Sequence, residues 1–194
     1  METLSIKIIA GSTREGRFSD VPASWIAQEV AKHEGVIVEV LDLRDYNMPF
    51  FDSAATPTAK TEPYTNEAVA RFTKKVAEGD AFIFVTPEYN HSTSGVLKNA
   101  LDWVYQEWND KPVGFVSYGS AGGTRAVEHL RQIVVELQMA SVREAVHIAA
   151  NDFFPVHFGG KDSAPMLEGY AEKAASMITQ LTRWARAMKT MRTS

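Results

Sequence analysis

Cysteine is absent from this chain of 194 residues, which excludes disulfides, thiolate catalysis and cysteine metal sites. No apolar run reaches the ~20 residues that a membrane helix needs, and no basic segment precedes the first apolar run. We therefore expect no signal peptide and no membrane partner, and a cytoplasmic location fits the lack of cysteine. Positive charge is also not in excess, since the formal net charge is -4. This argues against a nucleic-acid-binding protein.

Several motifs that define common sites are also missing. The chain has no Gly-Lys-Ser/Thr sequence of a Walker A loop and no complete Gly-x-Gly-x-x-Gly fingerprint. Its five histidines show no ligand spacing such as His-Glu-x-x-His. We therefore predict no metal site, and no phosphoryl transfer that depends on a Walker A lysine.

What the sequence does contain is a regular alternation of short apolar runs with segments of helical periodicity. Strands are predicted over Leu4–Ala10, Val36–Leu43, Ala81–Thr86, Val113–Tyr118 and Ala145–Ile148. Helices are predicted from the Ser19 N-cap to Gly35, over Asn66–Glu78, from Ser94, over Thr124–Met139 and over Met166–Lys189, with residues 149–165 irregular. This order favours one α/β domain over residues 1–194. Its flavodoxin-like, doubly wound, five-stranded parallel sheet should have the order 2-1-3-4-5, with helices on both faces.

Polar loops follow three of these strands directly. They are Gly11–Ser19 after the first strand, Pro87–Ser92 after the third and Gly119–Thr124 after the fourth. The carboxyl ends of parallel strands meet at one edge of a sheet, and ligands bind there at the point where the strand order reverses. The sequence therefore predicts one site built from three distant segments.

The first loop has the composition of an anion site. Small residues allow its backbone to close around a ligand, and a helix amino terminus follows it. Arg14 and Arg17 can each donate forked, charge-assisted hydrogen bonds to phosphate oxygens. The alternative is a glycine-containing turn whose arginines are only solvated. Asp20 would oppose a phosphate if its side chain pointed inward.

The second and third loops suit a flat, polar ligand. Tyr89 offers a broad apolar face, and Glu88 and Asn90 offer hydrogen bonds to a ring edge. The glycines of the third loop let backbone approach a ring closely. This mixture favours a planar heteroaromatic ring over a sugar or a metal, and we interpret His91 as a structural hydrogen-bonding residue.

Four segments together are specific for one family: G-S-T-R-x-G-R-F-S at 11–19, L-D-L-R-D-Y-N-M-P-F-F-D at 41–52, P-E-Y-N-H-S-T-S-G-V-L-K-N-A-L-D-W at 87–103 and S-Y-G-S-A-G-G at 117–123. They resemble the NADPH-dependent FMN reductases of the flavodoxin-like superfamily, which include azoreductase-, quinone reductase- and chromate reductase-like members. The resemblance covers nearly the whole chain, and the third segment is the most specific.

The resemblance implies an FMN site and assigns its residues by position. The FMN phosphate would be held by Ser12, Arg14, Arg17, Phe18 and Ser19. The isoalloxazine ring would be bordered by Pro87, Glu88, Tyr89 and Asn90, with Ser120, Gly122 and Gly123 along its pyrimidine edge. The segment of Met48, Pro49 and Phe50 would lie near the ring or the substrate opening. The family also implies a homodimer or homotetramer, with the helix after Gly95 at the contact.

The implied function is an FMN-dependent oxidoreductase that passes hydride from NAD(P)H through FMN to a flavin, quinone, azo or similar small-molecule acceptor. The cofactor carries that chemistry, so we predict no catalytic side chain. A flavodoxin-like electron carrier without NAD(P)H turnover is one alternative, and a binding module for another phosphorylated ligand is a second. The modest charge of -4 and the two loop arginines argue against the carrier.

Overall fold

The computed structural model describes residues 3–59 and 64–193, and its centre is a single five-stranded sheet. All neighbouring strands are parallel, and the order β2-β1-β3-β4-β5 confirms the prediction. The strands are β1 (Leu4–Ala10), β2 (Val36–Asp42), β3 (Ala81–Pro87), β4 (Pro112–Tyr118) and β5 (Ala140–Ile148).

Helices cover both faces of this sheet. They are α1 (Asp20–Ala31), α2 (Glu67–Ala77), α3 (Gly95–Trp103), α4 (Thr124–Glu136), α5 (Ala150–His157), α6 (Ala164–Glu168) and α7 (Ala171–Thr193). One apolar cluster joins the sheet to α1 and α7, and a second joins it to α2, α3 and α4. As a result β3 and β4 are buried along their whole length. This explains why their sequences are apolar at nearly every position. No helix in the described part of the chain is long and apolar enough to cross a membrane.

The helix that follows β3 is tied directly to the loop that follows β1. The Ser94 side chain caps α3 by accepting from the Leu97 amide at 3.2 Å, and it donates to the Gly11 carbonyl. Gly11 is needed at this contact, because a Cβ there would lie only 2.8 Å from the Val85 carbonyl oxygen. The first and second loops are thus held together at the sheet edge.

The end of α4 and the start of β5 differ from the prediction. The helix ends at Glu136 rather than Met139, because Gln138 adopts a left-handed φ of 55°. The amides of Gln138 and Met139 then bond back to the Val135 and Val134 carbonyls, which is a Schellman motif. The chain turns early enough for β5 to begin at Ala140, and a register shift between Val113 and Phe115 accommodates it.

The carboxyl-terminal third contains two helices more than predicted. The segment 149–165 is not irregular, since it contains α5 and the first residues of α6. The helix predicted over Met166–Lys189 is divided, because α6 ends at Glu168 and α7 begins at Ala171. At this corner the Tyr170 hydroxyl donates to Asp152 at 2.5 Å and accepts from the Ala149 amide at 3.4 Å. The break thereby fixes the start of α5 beside the end of β5.

Candidate functional site

The predicted loops meet around one cavity of about 220 Å³ at the carboxyl ends of β1, β3 and β4. Seven of the predicted site residues line it: Arg14, Arg17, Phe18, Pro87, Glu88, Tyr89 and Ser120. The other five lie around it and do not line it: Ser12, Ser19, Asn90, Gly122 and Gly123. Two of these five support tyrosines that do line the cavity. Ser12 bonds to the Tyr89 hydroxyl at 3.0 Å, and Ser19 bonds to the Tyr118 hydroxyl at 2.7 Å.

Ser19 lies at the N-cap of α1 as predicted, but it does not cap the helix. Its backbone is helical, with φ -50° and ψ -30°, and its side chain accepts no amide of the first turn. The hydroxyl is instead used by Tyr118. Burial raises the pKa of Tyr118 to about 12, so its hydroxyl keeps its proton at neutral pH.

The first loop presents backbone donors. Within residues 3–59 and 64–193, the amides of Thr13, Glu15 and Gly16 have no hydrogen-bond partner in the protein. Gly16 adopts a left-handed φ of 61° at the turn that leads toward α1. Unsatisfied amides next to a helix amino terminus form a site for a phosphate or another anion.

The two arginines of this loop have different surroundings. Arg14 is exposed, and its Cζ lies 5.7 Å from the centre of the Tyr89 ring. Among the described residues no carboxylate lies within 4.0 Å of its guanidinium. Arg14 can therefore direct its donors toward a ligand anion.

Arg17 is buried, and its donors are already used. Its Nη1 donates to Asp42 at 2.8 Å and to the Ser12 carbonyl, and its Nε donates to Asp20 at 2.9 Å. Burial alone would lower the pKa of Arg17, but the hydrogen bonds and charges of Asp42 and Asp20 raise it. Asp20 thus points toward Arg17, and the guanidinium braces the loop against the end of β2. Its predicted contact with the FMN phosphate stays a prediction.

The second loop is a tight turn that fixes Tyr89. Tyr89 and Ser92 exchange two backbone hydrogen bonds, of 2.9 and 3.1 Å. Asn90 and His91 between them have left-handed φ values of 49° and 69°, as in a type I′ turn. The turn directs the Tyr89 ring into the cavity, while Asn90 remains exposed at its rim.

Glu88 joins the second loop to the third. Gly123 is the N-cap of α4 and has no side chain to cap it. The Glu88 carboxylate takes that role by accepting from the Arg125 amide at 3.2 Å, and it also accepts from the Arg125 Nε at 2.6 Å. The Arg125 Nη1 contacts the His91 ring at 2.9 Å, which gives His91 the structural role that we predicted. The negative charge of Glu88 is thus balanced within the protein.

The third loop requires its glycines. Gly122 and Gly123 have φ values of 71° and 73°, and a Cβ at Gly123 would lie 2.6 Å from the Ser117 Cβ. Ser117 in turn donates to the Gly122 carbonyl at 2.7 Å and bonds to His147 at 2.7 Å. Burial lowers the pKa of His147. This network keeps the loop close to the end of β4.

Six residues of the cavity were not among the predicted site residues. Tyr118 and Gly119 lie at the end of β4 and the start of the third loop. The other four belong to α5 or its end: Phe153, Phe154, His157 and Phe158. A signal for them was present, because three phenylalanines fall within six residues directly after the fifth strand. Strand β5 ends at the same edge of the sheet as β1, β3 and β4, so its loop also reaches the site.

The segment of Met48, Pro49 and Phe50 does not line this cavity. The Pro49 carbonyl accepts from Asn99 Nδ2 and Trp103 Nε1, both at 2.8 Å, so the segment packs on α3. Phe50 is 84% exposed there.

The residues present fit FMN. Free amides and Arg14 provide donors for a phosphate dianion. Tyr89 and Tyr118 provide aromatic surface, and the glycines of the third loop allow the backbone to approach a flat ring closely. The donors lie on the first loop and the flat surfaces on the other two, as a ligand with a phosphate at one end and a ring at the other requires.

Comparisons with known proteins agree with this geometry. A family model described as NADPH-dependent FMN reductase matches residues 4–153. An NAD(P)H-dependent FMN reductase of Schizosaccharomyces pombe is 36% identical over 137 residues, which cover 71% of this chain and 68% of that protein. An NAD(P)H:quinone oxidoreductase of Solanum tuberosum is 36% identical over 137 residues, covering 68% of this chain and 67% of that protein. In fold the chain is similar to FerB, a flavoenzyme NAD(P)H:(acceptor) oxidoreductase from Paracoccus denitrificans, with a TM-score of 0.63 at 21% identity, covering 92% of this chain and 99% of that one.

Proposed function

This chain belongs to the NADPH-dependent FMN reductase family, and from that premise we propose that it uses FMN to pass electrons from NAD(P)H to a small-molecule acceptor. The observation that carries the proposal is the meeting of the three polar loops around one cavity. Bound FMN supplies the two-electron chemistry, by accepting hydride from NAD(P)H and reducing the acceptor. The protein binds, orients and shields the reactants.

In this proposal the first loop holds the phosphate. The amides of Thr13, Glu15 and Gly16 and the guanidinium of Arg14 are its donors. Arg17 keeps the loop in place through Asp20 and Asp42, and Phe18 closes its inner side. Ser12 and Ser19 position the two cavity tyrosines by their hydroxyl contacts.

The ring end is bordered by the second and third loops. Pro87, Tyr89 and Asn90 lie on one side, and Ser120, Gly122 and Gly123 form the turn on the other. Glu88 and Arg125 link the two loops as a neutral pair, so the carboxylate places no unbalanced negative charge beside the ring. We assign no proton transfer to a side chain of the site, and the one proton that reduction of a quinone by NAD(P)H takes up would come from water.

We propose a quinone, a free flavin or an azo compound as the acceptor. The relatives support this class, because those named above are an FMN reductase, a quinone oxidoreductase and an NAD(P)H:(acceptor) oxidoreductase. The two loop arginines argue less strongly against a carrier than the sequence suggested, because Arg17 is used within the protein and only Arg14 is available to a phosphate. Turnover, and not geometry, therefore separates the reductase from a flavodoxin-like carrier.

The test is an assay of the purified protein. We expect the protein to be yellow after FMN has been added and unbound FMN has been removed by desalting. We also expect it to oxidise NADPH or NADH when 2-methyl-1,4-naphthoquinone is present. FMN binding without NAD(P)H oxidation would favour the electron carrier. A protein that takes up no FMN would overturn the proposal.

We also propose a homodimer or homotetramer and a cytoplasmic location. Phe50 supports an oligomer. Three hydrogen bonds fix its loop on α3 and leave the Phe50 ring exposed, so that a second copy of the chain could cover it. NAD(P)H as the electron donor supports the cytoplasmic location. Light scattering coupled to size-exclusion chromatography measures the oligomeric state, and microscopy of a fluorescent fusion protein shows the location in the cell.

A further inference from the structure

We infer that α5 gives this site an aromatic wall, formed by Phe154 and Phe158, that binds the planar aromatic electron acceptor. The inference rests on the proposed function and deepens it, because it names the residues that select the acceptor. The wall lies at the end of the matched family region and beyond it, since that region stops at residue 153.

Phe153 anchors α5 to the site. It is only 8% exposed, and its ring centre lies 5.1 Å from that of Phe18 and 5.7 Å from that of Tyr118. Phe18 belongs to the first loop, and Tyr118 ends β4 just before the third loop. The helix is consequently packed against the first loop and against the end of β4 that leads into the third loop.

Phe154 and Phe158 lie one helical turn apart and form the outer part of the wall. Their ring centres are 5.6 Å apart, and the Phe154 ring lies 4.6 Å from the Phe153 ring. Both line the cavity, yet Phe154 is 44% and Phe158 is 72% exposed. Two adjacent phenylalanines at a cavity mouth leave apolar surface in water, and a flat apolar ligand would cover it favourably.

The chemistry of the wall favours the acceptor over the other two reactants. FMN and NAD(P)H both carry phosphate groups and need cations or amides. The wall offers two phenyl rings, and next to it lies His157, whose ring centre is 4.4 Å from that of Phe158. The cationic donor that the cavity offers to a phosphate lies on the first loop instead, at Arg14. A quinone or another uncharged aromatic ring is the reactant that matches a wall of this composition.

The experiment compares four variants of the FMN-loaded protein with the wild type. We expect Phe154→Ala and Phe158→Ala each to raise the dissociation constant of 2-methyl-1,4-naphthoquinone about three- to tenfold, the size of one aromatic pair. This constant is measured by calorimetry on the oxidised protein without NAD(P)H, so it does not depend on turnover. Phe158→Tyr should retain binding. Val135→Ala removes a comparably exposed apolar side chain from α4 and should leave the constant unchanged.

Two further measurements decide what the wall recognises. We expect the FMN content and the oligomeric state of both alanine variants to match those of the wild type. Unchanged naphthoquinone binding in both would overturn the inference. So would an equal loss of FMN, which would assign α5 to the cofactor, or a change in oligomeric state, which would assign it to a second copy of the chain.

The same data separate failure of the inference from failure of the proposed function. Only the inference about the wall would be overturned if the wild-type protein oxidises NAD(P)H with naphthoquinone while Phe154→Ala and Phe158→Ala leave the naphthoquinone dissociation constant unchanged. A wild-type protein that binds no FMN would overturn the proposed function, and the wall with it.

Discussion

At the scale of single residues, the first loop shows how far a sequence pattern can assign roles. Two arginines in one polar loop predict an anion site, and the exposed Arg14 is consistent with that. Arg17 is instead surrounded by Asp20 and Asp42. The second carboxylate lies at the end of a different strand, and only the parallel pairing of Ala10 with Asp42 brings it to the loop. Sequence spacing alone could not have distinguished the two arginines.

This difference predicts the effect of removing Arg14. We expect Arg14→Ala to weaken FMN binding about 10- to 100-fold, because a hydrogen bond to a charged group contributes about 1.5–3 kcal/mol. Riboflavin has no phosphate, so its affinity should not change. Fluorescence titration of the apoprotein measures both constants. Arg143→Ala, which removes an exposed arginine on β5, is the control. An equal loss of riboflavin affinity would show that Arg14 does not act on the phosphate.

At the scale of elements, the site depends on contacts that join one loop to another. Glu88 caps α4 across a separation of 37 residues, and Ser94 ties α3 to Gly11 across 83. The sequence predicted β1 to β4 and the helices α1 to α4 to within a few residues, because their periodicity is strong, but it placed the start of β5 five residues too late. It did not predict α5, where Asn151, Asp152 and Pro155 fall within one short helix. Those residues disfavour helix locally, and packing of Phe153 against Phe18 compensates.

The turn before α4 should tolerate no side chain. A Cβ at Gly123 would have a left-handed φ of 73° and would lie 2.6 Å from the Ser117 Cβ. We expect Gly123→Ala to lower the free energy of unfolding by about 1–3 kcal/mol and to weaken FMN binding, because the loop must move. Gly95→Ala is the control, since nothing lies within 4 Å of its Cβ. Equal urea midpoints for the two variants would contradict this description of the turn.

The contact between β4 and α2 predicts a pH dependence of stability. Lys111 donates to the Val76 and Ala77 carbonyls at 3.0 and 3.1 Å, and burial lowers its pKa to about 8. Between pH 8 and the ordinary lysine value of 10.5, the unfolded chain therefore binds more protons than the folded one. The free energy of unfolding should rise with pH across this window, by at most about 1.4 kcal/mol per pH unit.

Replacement of Lys111 tests that slope. We expect Lys111→Met to remove the contribution of this lysine, so that the variant gains less stability than the wild type between pH 8 and pH 10. Lys74→Met, at an exposed position of α2, should keep the wild-type slope. Urea unfolding at several pH values gives both curves. Parallel curves for Lys111→Met and wild type would show that Lys111 is not the source of the dependence.

At the scale of the whole molecule, the parallel order of the strands assembles the site. Because β1, β3, β4 and β5 run in the same direction, four loops from distant parts of the chain reach one edge. Three of them were predictable, since polar residues follow apolar runs directly. The fourth, with Phe154 and Phe158, was not predicted. Its one sequence signal, the cluster of three phenylalanines after the fifth strand, resembles a core segment until the fold places it at the cavity.

The central claim is that the separate loops bind one FMN molecule, and a crystal structure of the FMN-loaded protein tests it most directly. We predict the phosphate within hydrogen-bond distance of Arg14 and of the amides between Thr13 and Gly16. The ring should lie between Tyr89 and the turn at Ser120–Gly123. FMN bound elsewhere on the molecule, or bound with its phosphate away from the first loop, would contradict the account.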